Sequence, residues 1–410
     1  MRRRYPAILL GLLLALLAMG LGARTLAAQP TPAGPETLVS GAANDSVPCP
    51  RLGVAANGSF EIAWEHPGNP SSFMGTHYVS SGSPTDPGPV EIGAVGRYTT
   101  AEAVTPVTGG FRVLAGVNPY EPQPAPHFYQ IPLDASGAPE AGGPQPLGSG
   151  ATRWIWPGPG DSLLAGQQDL RDGLIKIQRL SPAGQPAGPL SALNTQPIVD
   201  PYPYVQVVPL ADGGWIGVYA GSSRVGPRLY RGVFRARRFS PAGRPVGQGF
   251  DVSSRLGAPF AVAANPSGGF AIAWAYTTPT NDPNDIPVVT VFLRFFNAAG
   301  RPLGPEIAVD QGQRVGPPIS AAFDDSGRLL LLWPKGSFRN GFFRLDLQGQ
   351  LFGSGGTPAG PAFVPSSAAS GELDQSFCGS VAWADHSWWI VWTAGNNQGT
   401  GAILLRRFNG

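Results

Sequence analysis

A glycine turn followed by a short apolar strand, often closed by tryptophan, recurs seven times along this chain, and no other feature constrains its fold as strongly. The copies read ANGSFEIAW (56–64), VTGGFRVLA (107–115), GPGDSLLAG (158–166), LADGGWIGVY (210–219), NPSGGFAIAW (265–274), DDSGRLLLLW (324–333) and WADHSWWIVW (383–392). With the residue after the turn as the ruler, they fall at Phe60, Phe111, Ser162 or Leu163, Trp215, Phe270, Arg328 and Trp388, in steps of 51 to 60 residues. By this ruler the third unit lacks the tryptophan and the sixth carries it one residue late, at Trp333.

Each unit reads as four strands. In the fifth, PFAVAA (259–264) precedes the glycine turn, and the strand ending in Trp274 follows it. A third strand, VVTVFLRFF (288–296), runs into NAAG, where Asn297 can cap the turn and Gly300 can take positive φ. A shorter, more solvated strand, EIAVD (306–310), ends the unit. β-Branched and aromatic residues concentrate between turns, and no helical stripe follows residue 28. A four-stranded unit of this size cannot bury both faces alone, and radial stacking solves that problem. The expected fold is all-β: a seven-bladed β-propeller of four-stranded antiparallel blades.

The seventh unit reaches AILLRRF and Gly410 without a fourth strand. That strand is found at the other end: TPAGPETLVSG (31–41) matches RPLGPEIAVD (301–310), setting Pro32 on Pro302, Gly34 on Gly304 and Glu36 on Glu306. The N-terminal strand is therefore expected to close the last blade and hide a free edge. The only two cysteines agree. Cys49 lies fifteen residues before Trp64 and Cys378 fourteen before Trp392, so both mark the start of the innermost strand in repeats that a closed ring makes neighbours. A disulfide between them is expected, the alternative being two buried thiols.

Residues 2–4 are arginines, residues 6–22 are almost wholly apolar, and Ala23, Ala27 and Ala28 follow, the order of a secretory signal. The alternative is an uncleaved anchor, but seventeen apolar residues fall short of the roughly 20 a span needs. The expected division is a signal peptide at 1–28 and a single propeller domain at 29–410, secreted, periplasmic or cell-surface, with no membrane span in the mature chain. Cleavage removes four arginines and no acids, turning the formal charge of +2 into −2. With two lysines in the chain, nucleic-acid binding is not expected. The arginine-rich run at 222–238 is read as an outer strand with solvated arginines on one face, the alternative being a stripe that contacts anions.

The unit GGFAIAW (268–274) with FLRFFNAAGRPLGPEIAVD (292–310) resembles a degenerate repeat of exported bacterial proteins, often GGFVVAW followed by RFDAAGNPLG, a blade repeat of β-propellers. The resemblance covers nearly all of the mature chain. It implies a fold and export but brings no catalytic residues, because such repeats are scaffold.

The sequence has no phosphate loop, CxxC, HExxH or nucleophile elbow, and only four histidines, at 66, 77, 127 and 386. Attention therefore falls on the loops at one mouth of the ring. Glu65 beside His66 could transfer protons, although neighbours on an extended strand point to opposite faces. Asp282 and Asp285 offer oxygen ligands suited to calcium, or belong to an ordinary Asx-rich turn. Tyr120, Phe128, Tyr202 and Tyr204 form either an aromatic binding platform or loop packing. Trp64, Trp274 and Trp392 are assigned to stability, wedged between sheets. The expectation is an exported, non-enzymatic module without a cofactor that binds an extracellular protein, glycan or surface component. The alternative is a polysaccharide hydrolase or lyase using Glu65, His66, Asp282 or Asp285 at the mouth.

Overall fold

The computed structural model describes residues 29–42, 49–66, 71–96, 99–117, 128–148, 152–201, 203–224, 230–258, 260–278, 288–313, 318–339, 342–366, 375–395 and 401–410. The proposed signal lies outside them. Among the described residues no helix is long and apolar enough to cross a membrane.

Seven antiparallel sheets form the blades, each built mainly from strands in chain order from the axis outwards. Blade five pairs Phe260–Ala264, Phe270–Thr277, Val288–Phe296 and Ile307–Gln313 in that order. Blade six has three regular strands. Its fourth position is held by bridges from Phe352 to Pro358 and from Gly349 to Phe363, the latter with reciprocal N–H···O bonds of 2.8 Å. The turns are made as their residues dictate. Asn297 Oδ1 accepts from the amides of Ala299 and Arg301, and Gly300 sits at φ 80°. Asp385 and His386, both at positive φ, form the two-residue hairpin of blade seven.

Trp333 is in register with its counterparts. Phe323 pairs with Leu329 as Ala264 pairs with Phe270 and Val54 with Phe60, so Leu329, not Arg328, opens the strand and Trp333 holds the same fifth place as Trp274 and Trp64. The arginine run is also repositioned. Tyr230–Phe239 is the third strand of blade four, covered outside by Pro245–Asp251. Arg235 pairs with Asp251 at 2.9 Å and Arg238 with Asp212, so these two charges are matched within blade four, while Arg237 donates to the Ala192 carbonyl of blade three.

The N-terminal strand, Thr37–Ala42, is the outer strand of blade seven, laddered to Gly401–Asn409. The match to blade five holds atom for atom. Pro32 bridges Phe408 as Pro302 bridges Phe296, and Arg406 donates to Gly34 O as Arg294 donates to Gly304 O. Seven apolar clusters lie between neighbouring blades and close the ring, one of them joining Trp389, Val391 and Ile403 of blade seven to Phe60, Ile62 and Trp64 of blade one. The recurrent Trp64, Trp274, Trp333 and Trp392 are all buried, each against the preceding blade. Cys49 and Cys378 are joined by a disulfide.

Candidate functional site

The innermost strand of each blade is a sheet edge, and its unpaired side faces the ring axis. Among the described residues three of the seven carry an extra residue there. In blade two Ala101 pairs with Ala115 and Ala103 with Leu114, leaving Glu102 outside the ladder. In blade three Thr152 pairs with Gln167 and Trp154 with Gly166, leaving Arg153. In blade seven the register shifts between Phe377 and Ser380, so Cys378 and Gly379 stand opposite Trp392 alone. Such a bulge kinks the strand and re-aims a side chain. Here two of them turn Glu102 and Arg153 to the channel, and the third, with Cys378 at φ 54°, brings its sulfur to Cys49.

The channel holds a cavity of about 410 Å³ whose charged lining is Arg51, Glu102 and Arg153, from three consecutive blades. Glu102 is exposed, and its Oε1 accepts a 2.7 Å hydrogen bond from Thr100 Oγ1. Arg51 Nε donates to Ala101 O at 2.9 Å, and Arg153 Nη1 donates to Pro201 O at 2.8 Å, so one nitrogen anchors each guanidinium to backbone. Burial pulls the Arg51 guanidinium below its usual pKa, and the nearby Glu102 carboxylate offsets part of that fall. Trp154 and Trp156, two residues apart on one strand, add half-buried indoles with centroids 6.3 Å apart and planes 14° from parallel. They lie over Gly166 of the neighbouring strand, where a Cβ would come within 2.8 Å of Trp156.

Of the residues singled out in the sequence, Phe128 lines this cavity, while Tyr204 is 54% exposed and lies outside its lining. Tyr120, Tyr202, Asp282 and Asp285 fall outside the described residues. Glu65 and His66 end the second strand of blade one, half-buried and exposed respectively, and neither lines the cavity. Among the described residues no group of three or more His, Cys, Asp or Glu could hold a metal ion.

A carboxyl–imidazole pair does exist in the same blade, away from that strand end. Glu61 and His77 face each other across adjacent strands, with Oε2 and Nδ1 3.3 Å apart and both residues almost fully buried. Gly75 and Gly137 leave room for them: a Cβ at Gly75 would sit 2.5 Å from Glu61 Oε1, and one at Gly137 2.5 Å from the His77 Cβ. Burial pushes the Glu61 carboxyl up to about 7, with Asp86 adding to the rise and the hydrogen bond and charge of His77 opposing it. The pair is sealed between blades one and two, so it bears on stability rather than on a substrate. Both residues are polar breaks in apolar strands, FEIAW and GTHYV, which is the sequence signal that could have revealed them. The channel residues carried a weaker signal: a polar residue squeezed into AEAV and TRWIW, where one extra residue breaks the alternation.

No family model matches this sequence, and no curated protein resembles it significantly. Solved structures do resemble it in architecture. The β-propeller domain of the Trilobed protease from Pyrococcus furiosus, described as having an open velcro topology, is 10% identical, with 90% of this chain and 96% of that one covered and a TM-score of 0.48. A GH93 α-L-arabinofuranosidase of Fusarium graminearum, solved with arabinobiose, is 10% identical over 92% of this chain and 97% of its own, at 0.45. The NanB sialidase of Streptococcus pneumoniae is 8% identical over 92% and 71%, also at 0.45. At these values the likeness concerns the fold alone. Two of these propellers are named as an arabinofuranosidase and a sialidase, so the expectation of a non-enzymatic protein, which rested on the lack of catalytic motifs, does not stand. The physical reason for the error is that a motif search sees residues close in sequence, whereas a ring assembles a site from single residues of separate blades.

Proposed function

We propose that this protein is exported and acts enzymatically on a glycan that enters the channel at the level of Glu102. The observation that carries the proposal is the pair of bulges that aims Glu102 and Arg153 into one cavity beside Arg51. A carboxylate there can take the proton of a water that attacks the anomeric carbon, the new C–O bond forming as the bond to the leaving sugar breaks and the leaving oxygen takes a proton from solvent. The free N–H groups of the guanidinium forks suit the oxygens of a sugar. Trp154 and Trp156 add apolar surface of the kind that aromatic side chains bring to binding sites. The cavity, about 410 Å³, falls in the roughly 300–1,000 Å³ range of ligand pockets. Export is supported by the order of basic, apolar and small residues at 2–28 and by a disulfide, which persists in oxidising compartments. The mature protein on this reading is residues 29–410.

The test is a panel of neutral and acidic polysaccharides, with reducing ends and released oligosaccharides measured for the native protein and for Glu102→Gln. The expected result is product from at least one glycan and a loss of about 100-fold or more in the variant, with an unchanged thermal melt. Turnover indifferent to Glu102, or no binding and no product across the panel, would overturn the reading.

A further inference from the structure

We infer that the channel selects a glycan bearing anionic substituents, carboxylate or sulfate, and that Arg51 and Arg153 are the residues that hold them. The inference rests on the proposed glycan reading and names the substrate class of that site. Three consecutive blades present Arg51, Glu102 and Arg153 to one cavity, so two positive charges flank one negative charge. Neither arginine has a carboxylate within 4 Å among the described residues, in contrast to Arg235, Arg238 and Arg328, whose charges are matched within the sheets. Among the described residues the hydrogen bonds that fix Arg51 and Arg153 go to backbone carbonyls and use one nitrogen each, so their charges are positioned but not neutralised by those bonds.

This arrangement favours anions for a definite reason. Anchoring to backbone removes much of the rotamer freedom that an arginine would otherwise lose on binding, and the remaining N–H donors match a carboxylate or sulfate in geometry. Partly apolar walls, supplied by Phe128, Trp154, Trp156 and Ile319, strengthen the field of the two charges. Glu102 repels an anion directly before it. The negative groups of a bound chain are therefore directed to the two sides, leaving a neutral or hydroxyl-bearing part of the sugar opposite the carboxylate. Residues of a polymer with charges on successive sugars fit that alternation.

The experiment measures binding of the full protein to polygalacturonate, to its methyl ester and to dextran sulfate, with arabinan as a neutral probe, by affinity electrophoresis and calorimetry at low and high salt. Polygalacturonate or dextran sulfate is expected to bind, and whichever binds assigns carboxylate or sulfate. Methyl esterification, Arg51→Gln and Arg153→Gln are each expected to weaken binding by about tenfold or more, as is usual for a hydrogen bond to a charged group. Arg153→Lys should restore part of the loss, and Arg301→Gln, on an exposed turn, should leave binding unchanged. Thermal melts of each variant separate lost recognition from lost folding. If arabinan binds as tightly as the polyanions and the arginine variants bind normally, the anionic assignment fails while the glycan reading survives. If no glycan binds, both fail.

Discussion

Cys49 and Cys378, 329 positions apart in sequence, are bonded with Cα atoms 5.0 Å apart, so the chain entering blade one is covalently tied to the bulge of blade seven. Non-reducing peptide mapping should recover a single linked peptide containing both. The double variant Cys49→Ser/Cys378→Ser should lose about 2–5 kcal/mol of stability, measured by denaturant unfolding. Two alkylatable thiols in the native, unreduced protein would contradict the bond.

Deleting residues 29–42 should destabilise the ring far more than trimming a loose tail. The deletion removes the ladder to Gly401–Asn409, the bond from the Asn409 amide to Thr31 O, and the burial of Val39. A loss on the order of 3 kcal/mol is expected, together with concentration-dependent light scattering from the exposed edge. A melt identical to that of the native protein would show that closure does not depend on this strand.

Trp274→Ala should cost about 3–5 kcal/mol. The indole is fully buried between blades four and five, stacked on Phe292 at 5.6 Å and edge-on to Phe234 at 5.5 Å. Trp274→Phe should recover much of the loss, and denaturant midpoints of the two variants provide the comparison.

Stability should respond to Glu61 in the direction its burial dictates. The folded pKa, about 7, lies above the 4.5 usual for this carboxyl, so between those pH values the folded state keeps a proton that the unfolded chain has released. The contribution is fully present below about 4.5 and is lost as pH rises through 7. The change should amount to roughly 1–3 kcal/mol. Melts from pH 4 to 8 for the native protein and for Glu61→Gln report the titration of the coupled Glu61–His77 pair, because Asp86 and Asp134 remain in both. Parallel pH profiles would rule out a titrating Glu61.

The ring was legible because its determinants repeat. Turn residues such as Asn297 and Gly300, and wedges such as Trp274, sit at equivalent places in copy after copy, so noise in one unit is corrected by the others. Even Pro32, far from its blade in sequence, could be assigned by its likeness to Pro302. The channel groups have the opposite character. Glu102 and Arg153 sit in irregularities that most blades do not share, and a bulge is fixed by its pairing partners, Ala115 with Leu114 and Gln167 with Gly166, which lie on another strand. Adjacent residues such as Glu65 and His66 drew attention because they are neighbours in sequence, whereas Glu61 meets His77 only after the hairpin forms.

The bulges separate what holds the ring together from what it presents to a ligand. Glu102 and Arg153 are surplus to their ladders, so losing either one would return its strand to regular pairing and leave the apolar faces between blades in place. A propeller built this way can change specificity by gaining or losing a single codon in an innermost strand. The scaffold then acts as a fixed frame, and the channel as a small alphabet written by insertion rather than by substitution.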